Sequence, residues 1–266
     1  MHKKRSDTSN GVYIDKKKNG SNNYRASMTI NNKHISLGSY SSEHEAAMAY
    51  EYAKKLFASK TEVTDFPDNC PLSFEKFVIL INLRDNKIYF SNPIYLENRF
   101  FSYYYSPEDV YKFDMDDLFY FSSHKIMKRG NHLFVADYGS QVSVYEHLGI
   151  RAFSVPGRDF LFINDDKYDL RRENIEIVNP YFGVRKQKNA LEESFKTFIN
   201  ITGKFVVGTY DSEIKAAIAY NKAVDVVTKQ GIAKKYPQNY IEGISAREYA
   251  AIYSDVEISK KLYMLS

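Results

Sequence analysis

The chain has 266 residues, 44% of them hydrophobic, which is enough to bury a sizeable core in one large domain or two to three small ones. A single Cys excludes an intramolecular disulfide framework and a Cys-rich zinc site. The formal charge of +4 is unevenly spread: residues 1–60 carry 11 Lys/Arg against 5 Asp/Glu, residues 61–180 carry 13 against 19, and residues 181–266 carry 13 against 9. Two basic ends around an acidic middle are what a chain touching phosphates through its ends would show.

Residues 1–10 read as a flexible basic start. No apolar h-region follows them and no run reaches the length of a membrane span, so no membrane partner is expected and the location is read as cytoplasmic. Residues 11–62 switch period. Tyr24, Ala26, Met28 and Ile30 alternate with Arg25, Ser27 and Thr29, "NNK" turns the chain, and Ile35 and Leu37 continue the apolar face. After Gly38 and Tyr40, "SSEHEAA" offers Ser41 or Ser42 as a helix cap, and Ala46, Ala49 or Tyr50, Ala53 and Phe57 recur at helical spacing. This is a three-stranded antiparallel sheet covered on one face by a helix.

Residues 63–109 read as a β-rich connection, with "KFVILINL" and "NKIYFSNPIYL" as strands around the turn signal "RDN". Tyr103, Tyr104 and Tyr105 suit either core packing or base stacking. Residues 110–180 hold the acidic stretch "FLFINDDKYDLRRENIEIV", from Phe160.

Residues 181–232 repeat the first unit. Gly183 answers Gly11, Gly208 answers Gly38, Tyr210 answers Tyr40, and Ala216, Ala217, Tyr220 and Ala223 answer Ala46, Ala47, Tyr50 and Ala53. Phe195, Thr197, Ile199 and Ile201 are expected inward, with Lys196 and Phe198 outward. Residues 233–266 form a helical extension capped near Ser245, suited to packing on the second repeat or to meeting a protein partner. The fold class is therefore α+β. The free faces or rims of the two sheets carry the candidate DNA contacts: Tyr13, Lys16, Lys17, Arg25, Ser27 and His34 in the first, and Arg185, Lys186, Lys188, Lys196, Phe198 and Lys204 in the second. No G-x-S-x-G, Walker loop or H-E-x-x-H is present, and no cofactor is expected.

With "GVY", "YRASMTI", "LGSY" and "AAMAYEYA", then "GVR", "FKTFINI", "VGTY" and "AAIAYNKAVD", both repeats resemble the APETALA2/ERF DNA-binding domain. That resemblance implies major-groove contact with double-stranded DNA by Arg25 and Arg185 on matched strands. Tyr13 replaces a common Arg, and neither copy has the family's frequent Trp.

"INDDKYDLRRENIEIV" resembles the HNH homing-endonuclease module of phage and mobile elements, giving an expected ββα-like middle between the two DNA-binding domains, within a bacterial host cell. In that module an Asp and a distal Asn hold a divalent cation and an adjacent His deprotonates water. Here Leu161 and Phe162 stand at the Asp-His positions, and neither side chain ligates a cation or accepts a proton. Asn174 matches the distal Asn and is a poor metal site alone. A rearranged site would need Asp165, Asp166 and Asp169 with Asn174; Arg171 and Arg172 suit phosphate contact or pairing with those acids. Three uses stay open: an inactive nuclease derivative that occupies DNA, an inhibitor whose acidic middle or C-terminal helix engages a protein, and a rearranged active nuclease.

Overall fold

The computed structural model describes residues 11–16, 21–188 and 193–265. The fold is α+β, with four three-stranded antiparallel sheets and one two-stranded hairpin among the described residues. It divides into two compact units. The first runs to Val142 and includes Lys167–Arg171; the second holds Ser143–Asp166 and the chain from Arg172. The boundary cuts through the 110–180 segment.

In the first unit β1 (Val12–Lys16), β2 (Asn22–Ile30) and β3 (Lys33–Tyr40) form an antiparallel sheet in that order. Helix α1 (Glu43–Ala58) covers one face. Ser42 and Glu45 close a capping box at its start, which satisfies otherwise orphaned backbone N–H groups. Ala46, Ala49 and Ala53 are fully buried, and their small side chains let helix and sheet approach closely.

The expected strand "KFVILINL" is instead the core of helix α2 (Phe74–Asn86), and "RDN" is its last turn. Every residue from Phe77 to Leu83 is buried, so no polar face interrupts the run, and a continuous apolar stretch fits a buried helix as well as a buried strand. Ser73 caps the start, and Lys87 in the left-handed region, φ 62°, ends it. The buried Asn82 amide donates to the Ile88 carbonyl at 2.8 Å and accepts from the Leu96 N–H at 3.0 Å, holding the next strand to the helix.

That strand, β4 (Ile94–Leu96), pairs with β5 (Phe100–Tyr104), which pairs with β6 (Val110–Asp114). Tyr103 is buried and its hydroxyl accepts the Ile126 N–H at 3.0 Å, so it is a core residue. Helix α3 (Leu118–Ser123) and the sheet β7 (Met127–Arg129), β8 (His132–Asp137) and β9 (Ser140–Ser143) complete the unit.

The second unit opens with the short α4 (Val144–His147), then β10 (Phe160–Phe162), which pairs with β11 (Ile175–Ile177). A single 3-10 turn, Arg172–Asn174, lies between these strands. The repeat follows as β12 (Val184–Lys188), β13 (Glu193–Asn200), β14 (Lys204–Tyr210) and helix α5 (Glu213–Lys229). Helix α6 (Ala246–Asp255) packs back on α5. Its Tyr249 and Tyr253 reach Asn221 at 3.1 Å and Asp225 at 2.8 Å, and the Lys222 ammonium donates to the carbonyls of Tyr253 and Val256, both at 2.8 Å.

The two repeats agree in detail. Both place a bulge at one point of the middle strand, Ala26/Ser27 and Thr197/Phe198. Both start on a glycine with positive φ whose carbonyl accepts from the second bulge residue, Gly11 from Ser27 at 2.9 Å and Gly183 from Phe198 at 2.7 Å. A Cβ at Gly183 would lie 2.3 Å from both the Phe198 carbonyl oxygen and the Tyr220 ring, and one at Gly11 would lie 2.2 Å from the Tyr50 ring. Each glycine thus lets the strand entry lie against a tyrosine of its own helix.

Candidate nucleic-acid interface

The common register matches the outer faces position by position. Across the first sheet Tyr13 stands opposite Arg25, which stands opposite Ser39; across the second Arg185 stands opposite Lys196, which stands opposite Thr209. Arg25 is therefore the counterpart of Lys196, and Arg185 takes the place of Tyr13. Further along, Ser27 and Ser36 correspond to Phe198 and Val206, and His34 corresponds to Lys204.

These substitutions give the faces different electrostatics. In the first sheet Tyr13, Lys16 and His34 are exposed, and the Arg25 guanidinium lies 3.6 Å from the Asp15 carboxylate. Ser27, expected outward, is buried: the bulge breaks the alternation of β2, and Ala26 and Ser27 are buried in succession. Lys17 lies outside the described residues.

In the second sheet the cations gather on one ring. Arg185, Lys196 and Lys204 lie 5.4, 5.6 and 3.7 Å from the centroid of Phe198. Each is attracted by the face of the ring, while they repel one another. Lys204 registers the crowding: burial first, then the charges of Arg185, Arg158 and Lys196, hold its ammonium below the ordinary lysine pKa. Lys186, also a candidate contact, belongs to the other phase of β12 and pairs with Glu193 at 2.9 Å. Nothing is described of the Lys188 side chain.

Residues without a sequence signal of their own extend this face. A cleft of about 490 Å³ beside Phe198 and Lys204 is lined by six cations and no acid. Arg151 and Arg158 come from the loop before β10, and Lys234 and Lys235 from the segment after α5. The side chains of Arg151 and Arg158 are positioned by the buried Asp159 carboxylate, at 3.1 and 2.5 Å. Burial would raise the Asp159 pKa, but hydrogen bonds from Arg158 and the Val155 N–H and the charges of both arginines hold it below the usual value. The segment after α5 is fixed by Asn239, which exchanges hydrogen bonds with Asn221 and with the Phe182 backbone. Lys234 and Tyr236 both donate to the Asn200 carbonyl, at 2.8 and 3.1 Å. In the sequence these lysines sit in the "KKY" run of residues 233–266, the expected helical extension; in the structure this part, before α6, is irregular backbone.

The 160–178 hairpin is organised by other interactions. Leu161 and Phe162 lie on β10. Asn174 is buried; its carbonyl oxygen accepts the Asn164 N–H at 2.8 Å and its amide donates to the Asp166 carbonyl at 3.1 Å, so it ties the loop together. Asp169 is also buried, and both its oxygens accept from the Arg171 guanidinium, at 2.8 and 2.6 Å. The Arg171 guanidinium also lies 5.0 Å from the Phe100 ring centroid, an arrangement that commits it to the fold. Asp165, Arg172 and Glu173 are exposed, while Asp166 is half-buried. Among the described residues no three His, Cys, Asp or Glu side chains are grouped to hold a metal ion. No described helix is long and apolar enough to cross a membrane.

Compared with protein-family models, curated proteins and solved structures, the chain matches none.

Proposed function

We propose that the chain binds double-stranded DNA, chiefly through the outer face of the second three-stranded sheet, and that it acts by occupying DNA rather than cutting it. The observation that carries the reading is the convergence of Arg185, Lys196 and Lys204 on Phe198, with no carboxylate within salt-bridge distance among the described residues. Like charges held this close cost free energy in the unbound protein; phosphate oxygens among them offset that repulsion, and release of condensed counterions from DNA adds a further gain. A narrow sheet laid in the major groove would bring the Arg185, Lys196 and Thr209 row to base edges and backbone. The APETALA2/ERF resemblance supports the same face.

The 160–178 hairpin fits this role as a scaffold of the HNH kind without its reacting groups. Leu161 and Phe162 supply neither a metal ligand nor a base, and Asn174 is engaged with backbone. The test is a low-salt anisotropy titration of the whole chain against labelled duplex fragments, random and phage-derived. Saturable binding that weakens in the Arg185→Gln/Lys196→Gln variant is expected. No response from any duplex would overturn the reading.

A further inference from the structure

The lining of the cleft beside the second sheet combines cations with aromatic rings. Four of its cations, Arg158, Lys204, Lys234 and Lys235, are exposed. Its aromatic rings include Tyr236 and Phe153, and the Lys234 ammonium lies 5.5 Å from the Tyr236 ring centroid. Phe153 is the more informative. It is 91% exposed and sits at φ 62°, a backbone conformation that a bulky residue adopts at a cost. Burial does not repay that backbone cost, and exposure leaves the ring accessible to a ligand in the cleft.

A ligand matching this lining carries negative charge and a flat ring, which is the chemistry of a nucleoside phosphate. We propose that the cleft takes one unpaired nucleotide, its base stacked against Phe153 or Tyr236 and its phosphate among the four cations. The choice of a nucleotide within a DNA strand over a free one rests on the reading of the adjoining sheet face as a DNA surface. In that arrangement the sheet holds the duplex and the cleft takes a base displaced from it, with the unstacking cost offset by stacking on protein aromatics.

The two sources are separable with the whole chain and three probes: a fully paired labelled duplex, the same duplex with one extrahelical deoxynucleotide, and free dAMP. The extrahelical probe is expected to bind about tenfold more tightly than the paired one, and Phe153→Ala to abolish that difference while leaving paired-duplex affinity unchanged. Because Phe153 is exposed, its replacement leaves the core intact; Lys235→Gln, also exposed, provides a second variant expected to weaken the extrahelical probe. Binding of dAMP that Phe153→Ala weakens would support the cleft even if no duplex binds, and would assign it to a free nucleotide while the sheet-face reading falls. Equal affinity for paired and extrahelical duplexes, with no Phe153-dependent binding of dAMP, would overturn the proposal whether or not paired DNA binds.

Discussion

Replacing Arg185, Lys196 and Lys204 together by Gln tests whether the second sheet carries the DNA contacts. Each phosphate neutralised by a Lys or Arg contributes about 0.9 to the slope of log affinity against log salt, so three contacts contribute about 2.7. Between about 50 and 200 mM salt that share alone weakens wild-type binding roughly fortyfold. The matched positions of the first sheet are Tyr13, Arg25 and His34, with one permanent cation already beside Asp15. Gln at Arg25 should therefore lower the slope by about 0.9 at most. The assay is anisotropy of one labelled duplex at four or more salt concentrations for wild type, Arg25→Gln and the triple variant. The unbound triple variant should stay within about 1 kcal/mol of wild type in stability, because the repulsion relieved offsets the ring attraction lost. A related readout needs no DNA: in Arg185→Gln/Lys196→Gln, the Lys204 ammonium, now held low by burial and by like charges, should titrate at higher pH by NMR. An equal loss of slope from the two repeats, or a loss from Arg25→Gln alone, would refute the assignment of the second sheet as the main contact.

Gly183→Ala should destabilise the fold by about 2 kcal/mol or more, since it adds a collision with Tyr220 and the Phe198 carbonyl to the cost of positive φ; Gly157→Ala, at φ 78° in open space, should cost about 1 kcal/mol, and urea midpoints compare them. Asn174→Ala should cost about 2 kcal/mol by leaving the Asn164 N–H and Asp166 carbonyl without that partner, and magnesium should not shift the melting temperature of either protein. Plasmid nicking with magnesium or manganese should not exceed that of Asn174→Ala, and nicking lost in this variant would restore the nuclease reading. Asp159 has a folded-state pKa below its ordinary 3.8, so its stabilisation is complete above that value and is lost as pH falls through the lower folded one; Asp159→Asn should flatten this acid limb in denaturation curves.

Both repeats were legible in the chain because their strands are buried on one face and their helices along one stripe, so burial writes its period into the residue order. The Gly–Tyr and Ala landmarks were legible too, since close approach of helix and strand admits only small residues there. Helix α2 reads as a strand in the sequence because a segment buried on all sides has no period to report. Strict alternation along β2 puts Ser27 on the free face, but a bulge, which is a property of two paired strands, ends the alternation there. The candidate site itself was half visible: Arg185, Lys196, Phe198 and Lys204 follow from strand phase. That they meet on one ring depends on pairing register, and that Arg158, Lys234 and Lys235 join them depends on where Asp159 and Asn239 anchor two irregular segments. Sequence fixes which side chains a regular element presents. Only tertiary structure brings charges distant in the chain within range of one another, because their interaction depends on distance in space and not on separation along the backbone.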